Sequence, residues 1–160
     1  MTRLFAAVLK GCRALQWIAG ASLVFLMLLT ICDVLLRAFG RPIPGTFELV
    51  GFAGGIAIGL AMPFTSWVRG HVFVDTFLER LPKGGRMAGH VVTRLLAMVL
   101  FTVLGWNLVR FGLDLRASGE VSLTLELPFY PLAFGLAAAS FVQVAVLLCD
   151  IAISVRGGHE

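Results

Sequence analysis

Charge is what this sequence lacks most. Of 160 residues, only 13 are Lys or Arg and 9 are Asp or Glu. A soluble domain carries roughly a quarter charged residues, and a small body needs them to cover its large surface. Here 59% of residues are hydrophobic and the mean hydropathy is +0.94, so the outer surface must face lipid. Disorder and a soluble nucleic-acid binder are excluded. Cysteine is scarce too. Cys12, Cys32 and Cys149 are odd in number and lie in or beside apolar runs, which excludes a disulfide scaffold and reads as small buried hydrophobes. The three histidines, His71, His90 and His159, stand near span ends or in the tail, so no two are placed to clamp a haem. Phosphate loop, nucleophile elbow and metal-spaced histidine set are all missing, and the chain does not read as an enzyme.

What is present is long uncharged runs. Residues 14–32, 49–68 and 127–149 contain no charge, and 95–109 reaches spanning length by including Arg94 or Arg110 at its ends. A bilayer core of about 30 Å takes about 20 helical residues. A lipid-exposed backbone must also satisfy its own hydrogen bonds. The sequence therefore predicts one all-α membrane domain over residues 1–160, with spans at about 14–36, 48–68, 90–112 and 127–150. The first run is too long for a signal peptide's apolar core, and no convincing cleavage site follows it. Nine Lys and Arg fall on the side of the N-terminus, the middle connection and the tail, against four (Arg37, Arg41, Arg110, Arg116) on the other. The positive-inside rule then puts both termini in the cytoplasm. Trp17 and Trp67 fall at the inner interface and Trp106 and Tyr130 at the outer one.

Several residues carry more specific expectations. Gly51, Gly55 and Gly59 are four apart on one face of the second span, with Ala53, Ala57 and Ala61 alongside, a pattern that lets another helix approach closely. Pro63 cannot bond to the Gly59 carbonyl, which predicts a bend. Residues 71–81 place Phe73, Val74, Phe77, Leu78 and Leu81 on one stripe, which predicts an amphipathic interfacial helix between the second and third spans, ended by Pro82. Asp33 and Arg37, like Arg110 and Asp114, are four apart and predict intrahelical ion pairs. Glu48 suits the positive end of the second span and is expected to reach Arg37 or Arg41. Alternation in residues 121–127 predicts a short extended segment. No acidic residue stands near the middle of a span, which argues against a self-sufficient proton-coupled carrier.

The order Asp33-Val-Leu-Leu-Arg37 to Pro42, Phe47-Glu48, Gly70-His71 to Asp75, Leu81-Pro82 and the later Val121-Ser122 and Leu127-Pro128 resembles the small membrane subunit of tripartite ATP-independent periplasmic (TRAP) transporters, the DctQ family. The resemblance implies a multi-pass subunit of the bacterial inner membrane that scaffolds a large transport subunit and helps dock a periplasmic substrate-binding protein. Lipid is then its third partner. It also implies sodium-driven import of organic acids, with sodium coupling in the large subunit and no cofactor in this chain. Arg37, Glu48, His71, Asp75 and Pro82 occupy the family's recurring places. Arg37 and Glu48 are expected to order the outer loop, and His71 and Asp75 to tie the interfacial helix to the second span. Two alternatives stand beside this: an autonomous homo-oligomeric secondary transporter dimerised across the glycine face, and a membrane anchor subunit of a redox complex.

Overall fold

A computed structural model describes residues 2–68 and 83–155. Four helices fill them: α1 (Thr2–Ala38), α2 (Thr46–Trp67), α3 (Lys83–Ser118) and α4 (Tyr130–Val155). Each is long and apolar enough to cross a membrane. Among the described residues there is no strand, only a single bridge between Val121 and Pro128. The interfacial helix expected over 71–81, with His71, Asp75 and Pro82, lies outside the described residues.

Two helices run well past a membrane's thickness. At about 1.5 Å per residue, the 37 residues of α1 and the 36 of α3 each reach roughly 55 Å, against a hydrocarbon core of about 30 Å. Their charged flanks contain no proline, and the helix continues through them, in α3 even across Gly84 and Gly85. α1 stops where glycine permits: Gly40 adopts φ 70, Arg41 N–H donates to the Leu36 carbonyl and Gly40 N–H to that of Arg37. This is the double bond of a Schellman stop.

The helices do not line up in chain order. α1 packs on α2, α2 on α4 and α4 on α3, while α1 reaches α4 only lightly. α3 meets neither α1 nor α2 among the described residues. α4 is thus the central member, with 44% of its span buried against 6% for α3. Its small residues make this possible: Ala133, Ala137, Ala139 and Ser140 are all buried. Ala139 joins Ala19 of α1 and Leu60 of α2 in the core, flanked by Leu15, Ile56 and Ala61.

Glycine notches receive α4 on two sides. A Cβ at Gly55 would touch the Leu132 side chain at 3.5 Å, and one at Gly59 would collide with Leu136. On α3, a Cβ at Gly105 would stand 3.2 Å from the Phe141 ring and one at Gly112 3.0 Å from Phe134. Where lipid gives no hydrophobic drive for association, such close fits supply the attraction through dispersion. Gly51, the first of the repeat, has nothing within 4 Å and stays exposed. Cys12 and Cys149 are buried as expected, but Cys32 is exposed, because its face of α1 has no partner helix.

Candidate functional site

The rim holding the first and third connections is where polar chemistry concentrates. On α1, the buried Asp33 carboxylate accepts from Arg37 Nε at 2.8 Å, the pairing its four-residue spacing predicts. Its other oxygen accepts from the Ile43 N–H at 3.0 Å, ten residues on. Thr46 Oγ1 donates to the Ile43 carbonyl at 2.9 Å, which fastens the same loop to the start of α2. The Arg37 guanidinium also lies over the exposed Phe47 ring, 5.8 Å from its centroid. One carboxylate thus turns the first connection back onto the helix it leaves.

Glu48 performs the corresponding task for the third connection. It sits in the first turn of α2, where its backbone N–H bonds to the Gly45 carbonyl and its side chain is free to leave the helix. Oε2 accepts from Ser122 Oγ at 2.7 Å and from Leu125 N–H at 3.0 Å, and Oε1 accepts from Thr124 N–H at 2.8 Å. Ser122 Oγ in turn accepts from Leu127 N–H at 3.1 Å. The expected reach of Glu48 toward Arg37 or Arg41 is therefore corrected. Arg37 is held by Asp33, and the N–H groups of the third connection satisfy the Glu48 carboxylate.

The third connection is correspondingly closed, not extended as alternation suggested. Ser122 N–H donates to Leu127 O and Glu126 N–H to Ser122 O, with Glu126 itself at φ 53. Ser122 turns inward to Glu48 and is buried, Thr124 meets the same carboxylate through its backbone N–H, and Glu126 stays exposed. The Leu125 side chain seats against Gly45, whose φ of 73 and bare Cα leave room for it, and Phe129 stacks on Phe52 with centroids 5.2 Å apart. A loop that joins α3 to α4 is therefore secured to α2.

Other polar contacts lie deeper. Ser22 Oγ donates to the Ala53 carbonyl at 2.8 Å between α1 and α2. Gln143, only 3% exposed, donates to Ser66 Oγ at 2.6 Å between α4 and α2. Arg94 Nε donates to Asp150 Oδ2 at 2.6 Å between α3 and α4. Sequence reasoning passed over these. The signal was there: Arg94 and Asp150 bound successive antiparallel spans, which brings them to one level, and Gln143 is a lone amide in an apolar run. The Arg110–Asp114 pair does not form among the described residues. Arg110 instead covers Trp106, 5.4 Å from the ring centroid.

The structure thus brings Asp33, Arg37 and Glu48 to one rim, and places Gly55 and Gly59 against α4. Gly51 stands apart from that seam. The carboxylates are already engaged by donors, so the arrangement holds loops; among the described residues no cluster suits a metal ion. A family model described as "Tripartite ATP-independent periplasmic transporters, DctQ component" matches residues 26–157. No curated protein and no solved structure gives a match.

Proposed function

The chain belongs to the DctQ component family of tripartite ATP-independent periplasmic transporters, and from that premise we propose that it is the fixed scaffold on which the large transport subunit of such a system moves. The family is one of transporter components, not of enzymes. In this reading the chain lies in the bacterial inner membrane with both termini cytoplasmic, as the distribution of Lys and Arg favours. The loop-rich rim then faces the periplasm and helps dock the substrate-binding protein. Import of organic acids is driven by sodium bound in the large subunit.

The observation that carries the reading is that the loop-rich rim is cross-tied by two carboxylates, one to each connection. Asp33 and Glu48 are spent on fastening the two connections. Polar contacts between helices, at Ser22, Gln143 and the Arg94–Asp150 pair, join each neighbour to the next. A body so tied suits a part that stays still while another moves. The rival homo-dimer across the glycine face loses its surface, because Leu132 and Leu136 of the same chain occupy Gly55 and Gly59.

Mild-detergent purification of the tagged chain from its native membrane tests the proposal. A much larger polytopic membrane protein is expected to accompany it, with the periplasmic protein bound weakly. Recovery of this chain alone, as a defined homo-oligomer, would overturn the reading. Within the assembled transporter, Glu48→Ala is expected to lower substrate uptake while the complex still assembles, and unchanged uptake would remove Glu48 from the docking surface.

A further inference from the structure

The first turns of α1 carry two cations that the rest of the chain leaves alone. Cys12, Leu15 and Ala19 turn toward the bundle, where Ala19 packs on Leu60 of α2. Lys10 and Arg13 lie off that face and are exposed. Arg37 and Arg94 each hold a carboxylate, but among the described residues neither Lys10 nor Arg13 does. The neighbouring sequence offers them none. The first 32 residues contain no Asp or Glu, and residues 49–68 carry no charge of either sign.

Their depth follows from the helix contacts. With Ala19 level with Leu60 and α1 antiparallel to α2, Arg13 and Lys10 come level with the last turn of α2, which ends at Trp67. Trp17 stands one turn deeper than Arg13 and is 80% exposed. Tryptophan marks the boundary between headgroups and hydrocarbon, so the two long cationic side chains reach the phosphate layer. The same face then continues into the hydrocarbon without a polar break. Gly20, Ala21, Val24 and Leu28 follow at helical spacing and are all exposed. A Cβ at Gly20 would meet nothing within 4 Å, so the helix surface is hollow between the Trp17 and Val24 side chains. From Trp17 to Leu28 is about 16 Å at about 1.5 Å per residue, close to half of a hydrocarbon core of about 30 Å. That is the depth of one acyl chain.

We propose that this face of α1 binds an anionic phospholipid of the inner leaflet, its phosphodiester held by Lys10 and Arg13 and one acyl chain laid along Trp17, Gly20 and Val24. The inference goes beyond the function proposed above and does not depend on it. A zwitterionic lipid is the poorer occupant, because its own ammonium stands beside two cations with no carboxylate near to balance it. A free phosphate suits the cations but makes no use of the hollow apolar face that continues from them. An anionic phospholipid uses both halves of the stripe.

The test uses the full chain in bilayer nanodiscs, with Trp67→Phe and Trp106→Phe leaving Trp17 as the one tryptophan. Lipids brominated on the acyl chain quench a tryptophan they touch. Brominated phosphatidylglycerol is expected to associate with Trp17 more tightly than brominated phosphatidylcholine, about fivefold for one engaged cation and up to about thirtyfold for two. Lys10→Gln combined with Arg13→Gln is expected to equalise the two lipids while helicity and melting are retained, and added salt to narrow the difference. Equal quenching by the two lipids in the chain with both cations, or a preference that survives their removal, would overturn the inference. In the complete transporter, a photoreactive residue at Ala21 is expected to form adducts with phospholipid. Adducts with a protein there would overturn the inference and leave the scaffold reading standing.

Discussion

Three glycines on one face of α2 share spacing and residue type, yet the structure assigns them opposite responses to the same substitution. At Gly59, a Cβ would collide with Leu136 Cδ2 while Leu136 Cγ stays at 3.6 Å. Alanine there is tolerable, because one leucine methyl group can rotate away. Leucine is not, since three more carbons must enter the space between α2 and α4. Overpacking of this kind costs up to about 3 kcal/mol, and replacing a helical glycine returns about 0.8 kcal/mol of backbone entropy. Gly59→Leu is therefore expected to destabilise the fold by about 2 kcal/mol, roughly thirtyfold in the folded population. Gly51 has nothing within 4 Å, so Gly51→Leu meets no overlap and is expected to stabilise by up to about 0.8 kcal/mol. Reversible unfolding of the purified chain in mixed micelles, followed by far-ultraviolet circular dichroism, measures both. Leu136→Ala should rescue Gly59→Leu by restoring the lost volume, with a coupling of about 1–2 kcal/mol for residues in direct contact. Equal effects at Gly51 and Gly59, or no rescue, would refute the seam.

Two further outcomes follow from the polar contacts and the turns. Arg94→Leu or Asp150→Leu leaves a partly buried charge facing an apolar side chain, each partner being no more than 20% exposed. Each single change is expected to cost about 1–3 kcal/mol, and the double change less than the two together, measured in the same unfolding assay. Simple additivity would show that the pair is idle. Gly40 and Gly45 both hold positive φ, at 70 and 73, but only Gly45 has a side chain, Leu125, lying where its Cβ would go. Gly40→Ala is expected to cost about 1 kcal/mol and Gly45→Ala about 1–3 kcal/mol more, for displacing that leucine. Melting temperatures that fall equally would remove Leu125 from the start of α2.

The architecture was legible where a single physical quantity decides it. Four uncharged stretches bounded by Arg, Asp and Glu gave four crossing helices, because the cost of burying charge in lipid is large and local. The Asp33–Arg37 pair followed from helical spacing alone. What stayed hidden depends on contacts distant along the chain. Glu48 finds its donors 74 to 77 residues away, and no local pattern points there, so a nearer arginine looked the natural partner. Arg110 and Asp114 had the right spacing, but Trp106 lies four residues the other way and offers the cation an aromatic face. The glycine repeat marked a close helix contact without saying that its first member, Gly51, lies beyond the seam.

The position of α4 between α2 and α3 has a consequence for synthesis. Chains emerge from the ribosome N-terminus first, so the helix that holds the others is the last to arrive. α1 and α2 are able to form their hairpin early, with the Ser22–Ala53 bond already available. α3 must wait in the bilayer without a partner, its Gly105 and Gly112 notches open, until α4 follows. A chain that ended before Tyr130 would hold three helices, with α3 joined to α2 through the loop that Glu48 fastens and not through a helix seam among the described residues. Completion of the final helix is thus the event that turns a set of independent insertions into one body.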